Sequence, residues 1–311
     1  MKGWMFEEVG KPLVLFEKPD PVATEGNVVI EVKACGTCHS DVDMLYNEAW
    51  RGICQPNTYF GHEVAGVIID VADDVTNYKV GDRVAIGQFG VGFLYDGGFS
   101  DKCLVPADHL VKIPDSVDFI QAAAGTDAGA TAYHGVVTQG CIKEGMKVGI
   151  IGVGGLGHVG LQIAKAYNCE VYACELKEEA RQLALELGAK EVVSDVKDFA
   201  PFELDLIIDF CSTGSTLNSA IEVINNGGRI VEVGGMAHEG NISLFTLRAK
   251  QLTIVGSLGS NVNEIAGTYK LMDTHGVKII ANEFKFEDVP KAIDRLRDGG
   301  VVGRLVCEMD K

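Results

Sequence analysis

The 311-residue chain has no uninterrupted apolar run near the length of about 20 residues that a helix needs to span a bilayer. Its first ten residues, MKGWMFEEVG, carry one lysine and then two glutamates where an export signal needs a continuous apolar stretch. Basic charge is scarce. Lys and Arg total 27 against 44 Asp and Glu, a formal net charge of −17, and no basic cluster interrupts that balance. Such a surface repels phosphate backbones and anionic lipid, which argues against nucleic acid or a membrane as partner. Nine cysteines, an odd number without an export signal, fit reduced thiols rather than a disulfide framework. Repeats and low-complexity segments are missing too. A soluble, cytoplasmic protein is expected, and its length favours two domains over one.

What is present is organised around residues 147–175, KVGIIGVGGLGHVGLQIAKAYNCEVYACE. Residues 148–151 form a short apolar β-run, and Gly152, Gly154 and Gly157 supply G-x-G-x-x-G at its end. Leu156, Gly160, Ile163, Ala164 and Tyr167 then recur at helical spacing. The first glycine permits a tight turn, the second lets backbone approach a pyrophosphate, and the third lets helix pack on strand. Together with Gly155 and Leu156, these residues form a loop whose free N–H groups face phosphate. Alone, the motif also occurs as an ordinary glycine-rich turn; strand, helix, second strand and acid in register make it a dinucleotide fingerprint. Glu175 ends the next strand, 171–174, where a carboxylate accepts hydrogen bonds from ribose hydroxyls and repels a 2′-phosphate. NAD is therefore expected over NADP. Lys177 is the one neighbour pulling the other way.

The chain before this stretch is β-rich. Segments 27–35, 63–71, 83–86 and 99–105 are rich in Val, Ile and Phe and are separated by Gly, Asp, Asn and Pro. From about Thr131, helix and strand alternate, as in a parallel sheet. Helices are expected at 178–187, 216–224 and 289–297, and strands at 191–193, 205–210, 229–233, 252–255 (a last buried strand) and 305–308. The fold class is α/β, a doubly wound Rossmann sheet plus a β-rich domain. The expected domains are 1–128, 129–258, and a tail, 259–311, returning to the first.

Two compact clusters lie in the β-rich part: Cys35-Gly-Thr-Cys38-His39-Ser40-Asp41 and Gly61-His62-Glu63. Thiolate and imidazole are donors that zinc prefers, and a catalytic site needs three protein ligands and an open position. On its own C-x-x-C fits a redox pair, half a structural zinc site or two buried thiols, and no second C-x-x-C completes a structural site.

In order, A-C-G-T-C-H-S-D, P-x-x-x-x-G-H-E, G-D-R-V, G-G-F-S, G-V-G-G-L-G, F-E-D-V and V-G-R-L-V resemble the zinc-dependent medium-chain dehydrogenase/reductase (alcohol dehydrogenase) family over nearly the whole chain. The resemblance implies that the β-rich domain is GroES-like. It makes Cys38 and His62 zinc ligands, places Glu63 where a carboxylate approaches zinc during ligand exchange, and makes Ser40 the hydroxyl that receives the substrate proton. It sets His39 and Arg304 beside the cofactor phosphates and Thr131 near the nicotinamide. Asp41 fits the residue that orients His62. The family's third ligand is usually Cys, sometimes Glu; here Asp127 stands in its place. A carboxylate donates less charge than a thiolate and would leave the metal more Lewis-acidic. The competing reading is that Asp127 caps a helix. Where many relatives have a relay histidine this chain has Asp43, a catalytic candidate that either relays protons or marks a lost relay, and segment 85–96 lacks the family's four-cysteine lobe, so no structural zinc is expected.

Tyr46, Trp50, Phe60 and Phe89 flank the motifs and are candidates for a pocket wall or for core. His109, His134, His158, His238 and His275 are assigned surface or packing roles. The expected function is an NAD-dependent alcohol dehydrogenase or carbonyl reductase with one catalytic zinc, acting on a small alcohol, ketone or aldehyde, as a homodimer associating through the last Rossmann strands. The alternatives are a relative reducing an activated C=C or C=N bond, and a non-catalytic NAD-binding sensor.

Overall fold

The computed structural model of the chain describes residues 1–88 and 90–309. The chain divides into two compact units, Met1–Asp127 with Asn261–Asp273 and Ile279–Lys311, and Ala128–Ser260 with Thr274–Lys278. Among the described residues no helix is long and apolar enough to cross a membrane.

The first unit is built on the strand Asn27–Thr37. Glu63–Val71, Lys102–Pro106 and the late strand Arg304–Glu308 all pair with it antiparallel. Ala281–Lys285, Arg83–Gly87 and Val111–Lys112 complete seven strands. Val28, Val29 and Ile30 have no exposed surface, so both faces of the central strand are covered. A smaller antiparallel sheet pairs Lys2–Phe6 with Val14–Glu17 and with Thr58–Tyr59. The run expected at 99–105 is a strand only over Lys102–Pro106. Before it, Phe99 bonds through its backbone to Trp4 and Phe60, which takes that part of the chain out of the ladder.

Two helices of the tail pack into this unit. Val289–Asp298 buries Val289, Ala292, Ile293 and Leu296, one stripe at helical spacing, and stops at Gly299, whose φ of 85° favours glycine. Truncating Ile293 to alanine would cost about 2–5 kcal/mol. Val262–His275 was not expected from the sequence. Its first turn is closed by the Asn261 amide donating to Glu264 Oε2 at 2.9 Å, and the Tyr269 hydroxyl donates to the Ala122 carbonyl at 2.7 Å.

The second unit is a six-stranded parallel sheet in the order Glu191–Val193, Glu170–Cys174, Lys147–Ile151, Leu206–Asp209, Arg229–Glu232, Thr253–Gly256. The order reverses between Lys147–Ile151 and Leu206–Asp209, the place where an open α/β sheet forms its ligand crevice. The last strand, expected at 252–255 to be buried, is not. Thr253–Gly256 is the edge of the sheet, paired on one side only, with Thr253 and Gly256 exposed and Ile254 and Val255 half-buried.

A helical stretch runs from Phe119 to Gln139, capped by the Asp118 carboxylate accepting the Gln121 amide at 2.7 Å. It contains two π turns, Gly125–Gly129 and His134–Gln139. Asp127 lies inside the first of these, so it does not cap a helix; the cap is Asp118. A π turn widens the helix by one residue and re-aims a side chain, a device common at functional sites.

Candidate metal centre and nucleotide loop

Cys38 follows the strand Asn27–Thr37 and caps the helix His39–Tyr46. Its backbone N–H donates to Asp41 Oδ2 at 2.8 Å, and its Sγ lies 3.2 Å from Ser40 Oγ. His62 is set by the residue before it. Gly61 has φ of 91°, and a Cβ there would meet Cys35 Sγ at 2.7 Å and the Phe99 amide nitrogen at 2.8 Å, so only glycine allows this approach. The His62 ring packs on Phe93, with centroids 4.7 Å apart; its Nδ1 meets Asp41 Oδ1 at 3.1 Å, and its Nε2 lies 3.9 Å from Asp127 Oδ2. Glu63, fully buried, opens the strand Glu63–Val71, in space left by the missing side chain of Gly36.

Cys38, His62, Glu63 and Asp127 thus converge, each offering one donor atom, with all these atoms within 4.8 Å of one another. A thiol, an imidazole and carboxylates match the chemistry of zinc, and the Asp41 carboxylate behind the imidazole is the outer partner that metal-binding histidines use. The residues present therefore fit the metal that the sequence implies.

The electrostatics of the cluster turn on Arg304, which is 5% exposed. Its guanidinium donates to both Glu63 and Asp127, with Nε 3.3 Å from Glu63 Oε2. Burial raises Glu63 to about 7, the neighbouring Asp127 adds to this, and Arg304 opposes it. Asp127 is buried as well, yet Arg304 and His62 hold it well below the usual carboxylate range. Burial disfavours the charged form of His62, but Asp41 and Asp127 carry it well above its ordinary value.

His39 and Asp43 lie one turn apart on the helix His39–Tyr46. Burial and then Arg304 lower His39, while Asp43 pulls it up. Among the flanking aromatics, Phe60 is fully buried and stacked on Phe6, a core residue rather than a pocket wall. Tyr46 donates to Asp294 at 2.8 Å and Trp50 packs on the same core. Phe89 lies outside the described residues. Sequence reasoning missed Gln88, whose Nε2 donates to Asp127 Oδ1 at 3.0 Å, and the engagement of Arg304 with two carboxylates; no spacing in the chain signals either.

In the second unit, Gly152 has φ of 81° and donates its N–H to the Cys174 carbonyl at 2.9 Å. A Cβ on Gly157 would collide with the Gly152 carbonyl oxygen, whereas one on Gly154 would meet nothing within 4 Å. Gly155 and Leu156 carry the turn into the helix Gly157–Ala166. Glu175 accepts the Val153 amide at 2.8 Å and the Leu176 and Lys177 amides at 2.7 and 2.9 Å. The acid thus braces the glycine loop, and a carboxylate has further lone pairs for hydroxyls. His158 is buried, its Nδ1 donating to the Gly154 carbonyl at 2.7 Å, a packing role. Thr131, 8% exposed, lies in the helical segment Ala130–Tyr133.

Residues 24–115 match the alcohol dehydrogenase GroES-like domain and residues 155–274 the zinc-binding dehydrogenase domain. The whole chain aligns with an alcohol dehydrogenase of Geobacillus stearothermophilus at 32% identity, covering 100% of both. Among solved structures it is similar to acetophenone reductase from Geotrichum candidum in complex with NAD (28% identity, TM-score 0.87, 99% of this chain and 96% of that one). It is also similar to a cobalt- and zinc-bound thermostable alcohol dehydrogenase from Pyrobaculum aerophilum (25% identity, TM-score 0.87, 99% of each chain). With its donor cluster, glycine loop and full-length relatives taken together, the chain belongs to the zinc-type medium-chain alcohol dehydrogenase family of alcohol oxidoreductases.

Proposed function

We propose that the protein is an NAD-dependent alcohol dehydrogenase or carbonyl reductase with one catalytic zinc, held by Cys38, His62 and Asp127, with Glu63 as the carboxylate that exchanges into the site. The observation that carries this reading is the convergence of the four donor atoms within 4.8 Å, with Asp41 orienting His62. A bound zinc would supply Lewis acidity toward the substrate oxygen, and a bound nicotinamide the hydride exchange. The chain's own residues do the rest. Ser40, whose Oγ lies 3.2 Å from Cys38 Sγ, holds the hydroxyl that takes the substrate proton, His39 stands beside the cofactor phosphates, and Asp43 on the same helix is the group that passes the proton on. Glu175 at the end of Glu170–Cys174 supports NAD over NADP. Arg304 neutralises the two carboxylates, and in this reading also contacts the cofactor phosphates.

The nine free thiols support a cytoplasmic setting. A homodimer is supported by the open edge of Thr253–Gly256, followed by Leu258 at 94% exposure; a two-fold axis would pair that edge with its own copy.

Elemental analysis of the purified protein and of Asp127→Ala, with NADH fluorescence, tests the centre. One zinc per chain, lost or weakened in the variant while NADH still binds, is expected. NADH binding without zinc in the parent would overturn it, and NADH consumption with an enone but not its ketone would move the function to C=C reduction.

A further inference from the structure

Asp209 ends the strand Leu206–Asp209 and Glu232 ends its neighbour Arg229–Glu232; the two are directly in register, so both side chains leave the same face at the carboxyl edge of the sheet. Asp209 is fully buried. Its Oδ1 accepts the Cys211 and Ser212 amides at 2.9 and 2.8 Å, but its Oδ2 is buried with no partner, and so is Glu232 Oε1. Ser257, just past the next strand and bonded through its backbone to Glu232, has an unpartnered buried hydroxyl as well. Buried polar atoms without partners are rare in folded proteins, and three at the carboxyl ends of adjacent strands mark a place where something else completes the bonding.

In a doubly wound sheet that edge borders the ligand crevice, and each half of the fold receives one mononucleotide. Glu175 and the glycine loop belong to the first half, so Asp209 and Glu232 belong to the half that would take the nicotinamide. The geometry points to Glu232, backed by Asp209, as a charge-sensing residue that favours the oxidised, positively charged nicotinamide over the reduced, neutral one. This rests on the cofactor reading above.

Burial and then the neighbouring Asp209 raise Glu232 to about 7, with Ser212 opposing; burial also raises Asp209. Other elements packed against Arg229–Glu232 contribute little charge. Thr253–Gly256 has no ionisable residue, the helix Ser215–Val223 has only Glu222 in its last turn, and His134 of the turn His134–Gln139 is bonded to Gln139. Cys211, beyond Asp209, is pushed up to about 12 by burial and stays neutral. Among the groups packed at this edge of the sheet, Glu232 is thus the one that gains charge around neutrality, and a positive ring drives off its proton.

Affinities for NAD⁺ and NADH, measured by titration calorimetry between about pH 6 and pH 8, test this. The parent should bind NAD⁺ on the order of five-fold more tightly at the higher pH, releasing protons, with NADH nearly indifferent. Glu232→Gln should flatten the NAD⁺ profile. Asp209→Asn, which keeps the acceptor for the two amides, should move its midpoint to lower pH. A pH slope that persists in Glu232→Gln, or a midpoint that Asp209→Asn leaves in place, overturns the inference and leaves the cofactor reading standing. Failure of the parent to bind either form overturns the cofactor reading and this inference with it.

Discussion

Asp41 Oδ1 lies 3.1 Å from Nδ1 of His62, and both side chains are buried. The other oxygen of the same carboxylate accepts the Cys38 amide at 2.8 Å. One side chain therefore fixes two of the four converging donors, although Cys38 and His62 stand on different strand ends. Asp41→Asn keeps an acceptor for one partner but lacks the charge that orients the imidazole. Its zinc affinity, measured by competition with a chelator, should fall about 10–100-fold. An unchanged affinity would show that His62 is held by packing on Phe93 alone.

Arg304 bridges Glu63 and Asp127 in a site where all three are nearly or fully buried. Arg304→Met would leave two like charges buried without their counterion, a loss of about 3–5 kcal/mol. The chelator-treated variant should unfold at clearly lower urea than the chelator-treated parent, and added zinc should narrow the gap by supplying positive charge. Equal midpoints without metal would mean that the two carboxylates are neutralised some other way.

Much of this arrangement was legible in the sequence where one stretch of chain carries the whole signal. The glycine loop, its helix and Glu175 lie within 147–175, and Cys38 to Asp41 within one turn of helix. Contacts closed by distant segments were not legible. Arg304 stands 241 positions from Glu63, and Gln88 reaches Asp127 across 39. The helix Val262–His275 escaped because its buried face includes the polar residues Glu264 and Thr268 among Ile265, Tyr269, Leu271 and Met272, which blurs the apolar stripe. The edge position of Thr253–Gly256 escaped because an apolar β-run reads the same in the middle of a sheet as at its margin.

Gly154 and Gly157 belong to one motif but should fail differently. A methyl on Gly157 strikes the Gly152 carbonyl, so Gly157→Ala should lower the thermal midpoint together with cofactor binding. A methyl on Gly154 meets nothing, so Gly154→Ala should keep its midpoint and still lose NADH affinity, because the methyl occupies the approach to the phosphates. Normal NADH fluorescence in Gly154→Ala would place the pyrophosphate elsewhere.

All nine thiols are free, but they differ in access. Cys141 is exposed and Cys38 partly so, whereas burial pushes Cys54, Cys103 and Cys174 up to about 12. Thiolate is the reactive form, so a disulfide reagent should label Cys141 first and the buried thiols only on denaturation. Zinc should protect Cys38 and leave the rate at Cys141 unchanged, which mass mapping of the labelled peptides would show; equal protection of both would count against Cys38 as a ligand.

Glu232 also gives the fold a pH dependence whose sign is opposite to that of a salt-bridged carboxylate. Its value in the folded chain, about 7, lies above the ordinary 4.5, so folding favours its protonated form. The stability linked to it is complete below about 4.5 and is lost as pH rises through about 7. Asp127, held low by Arg304 and His62 despite its burial, behaves the other way, its contribution being lost as pH falls toward its own depressed value. The two effects act at opposite ends of the range, so comparing the parent with Glu232→Gln isolates the first. The thermal midpoints of the two proteins should match near the ordinary carboxylate value and diverge above neutrality, where the variant should be the more stable. Parallel curves across that window would mean that Glu232 ionises as freely in the folded protein as in the unfolded chain.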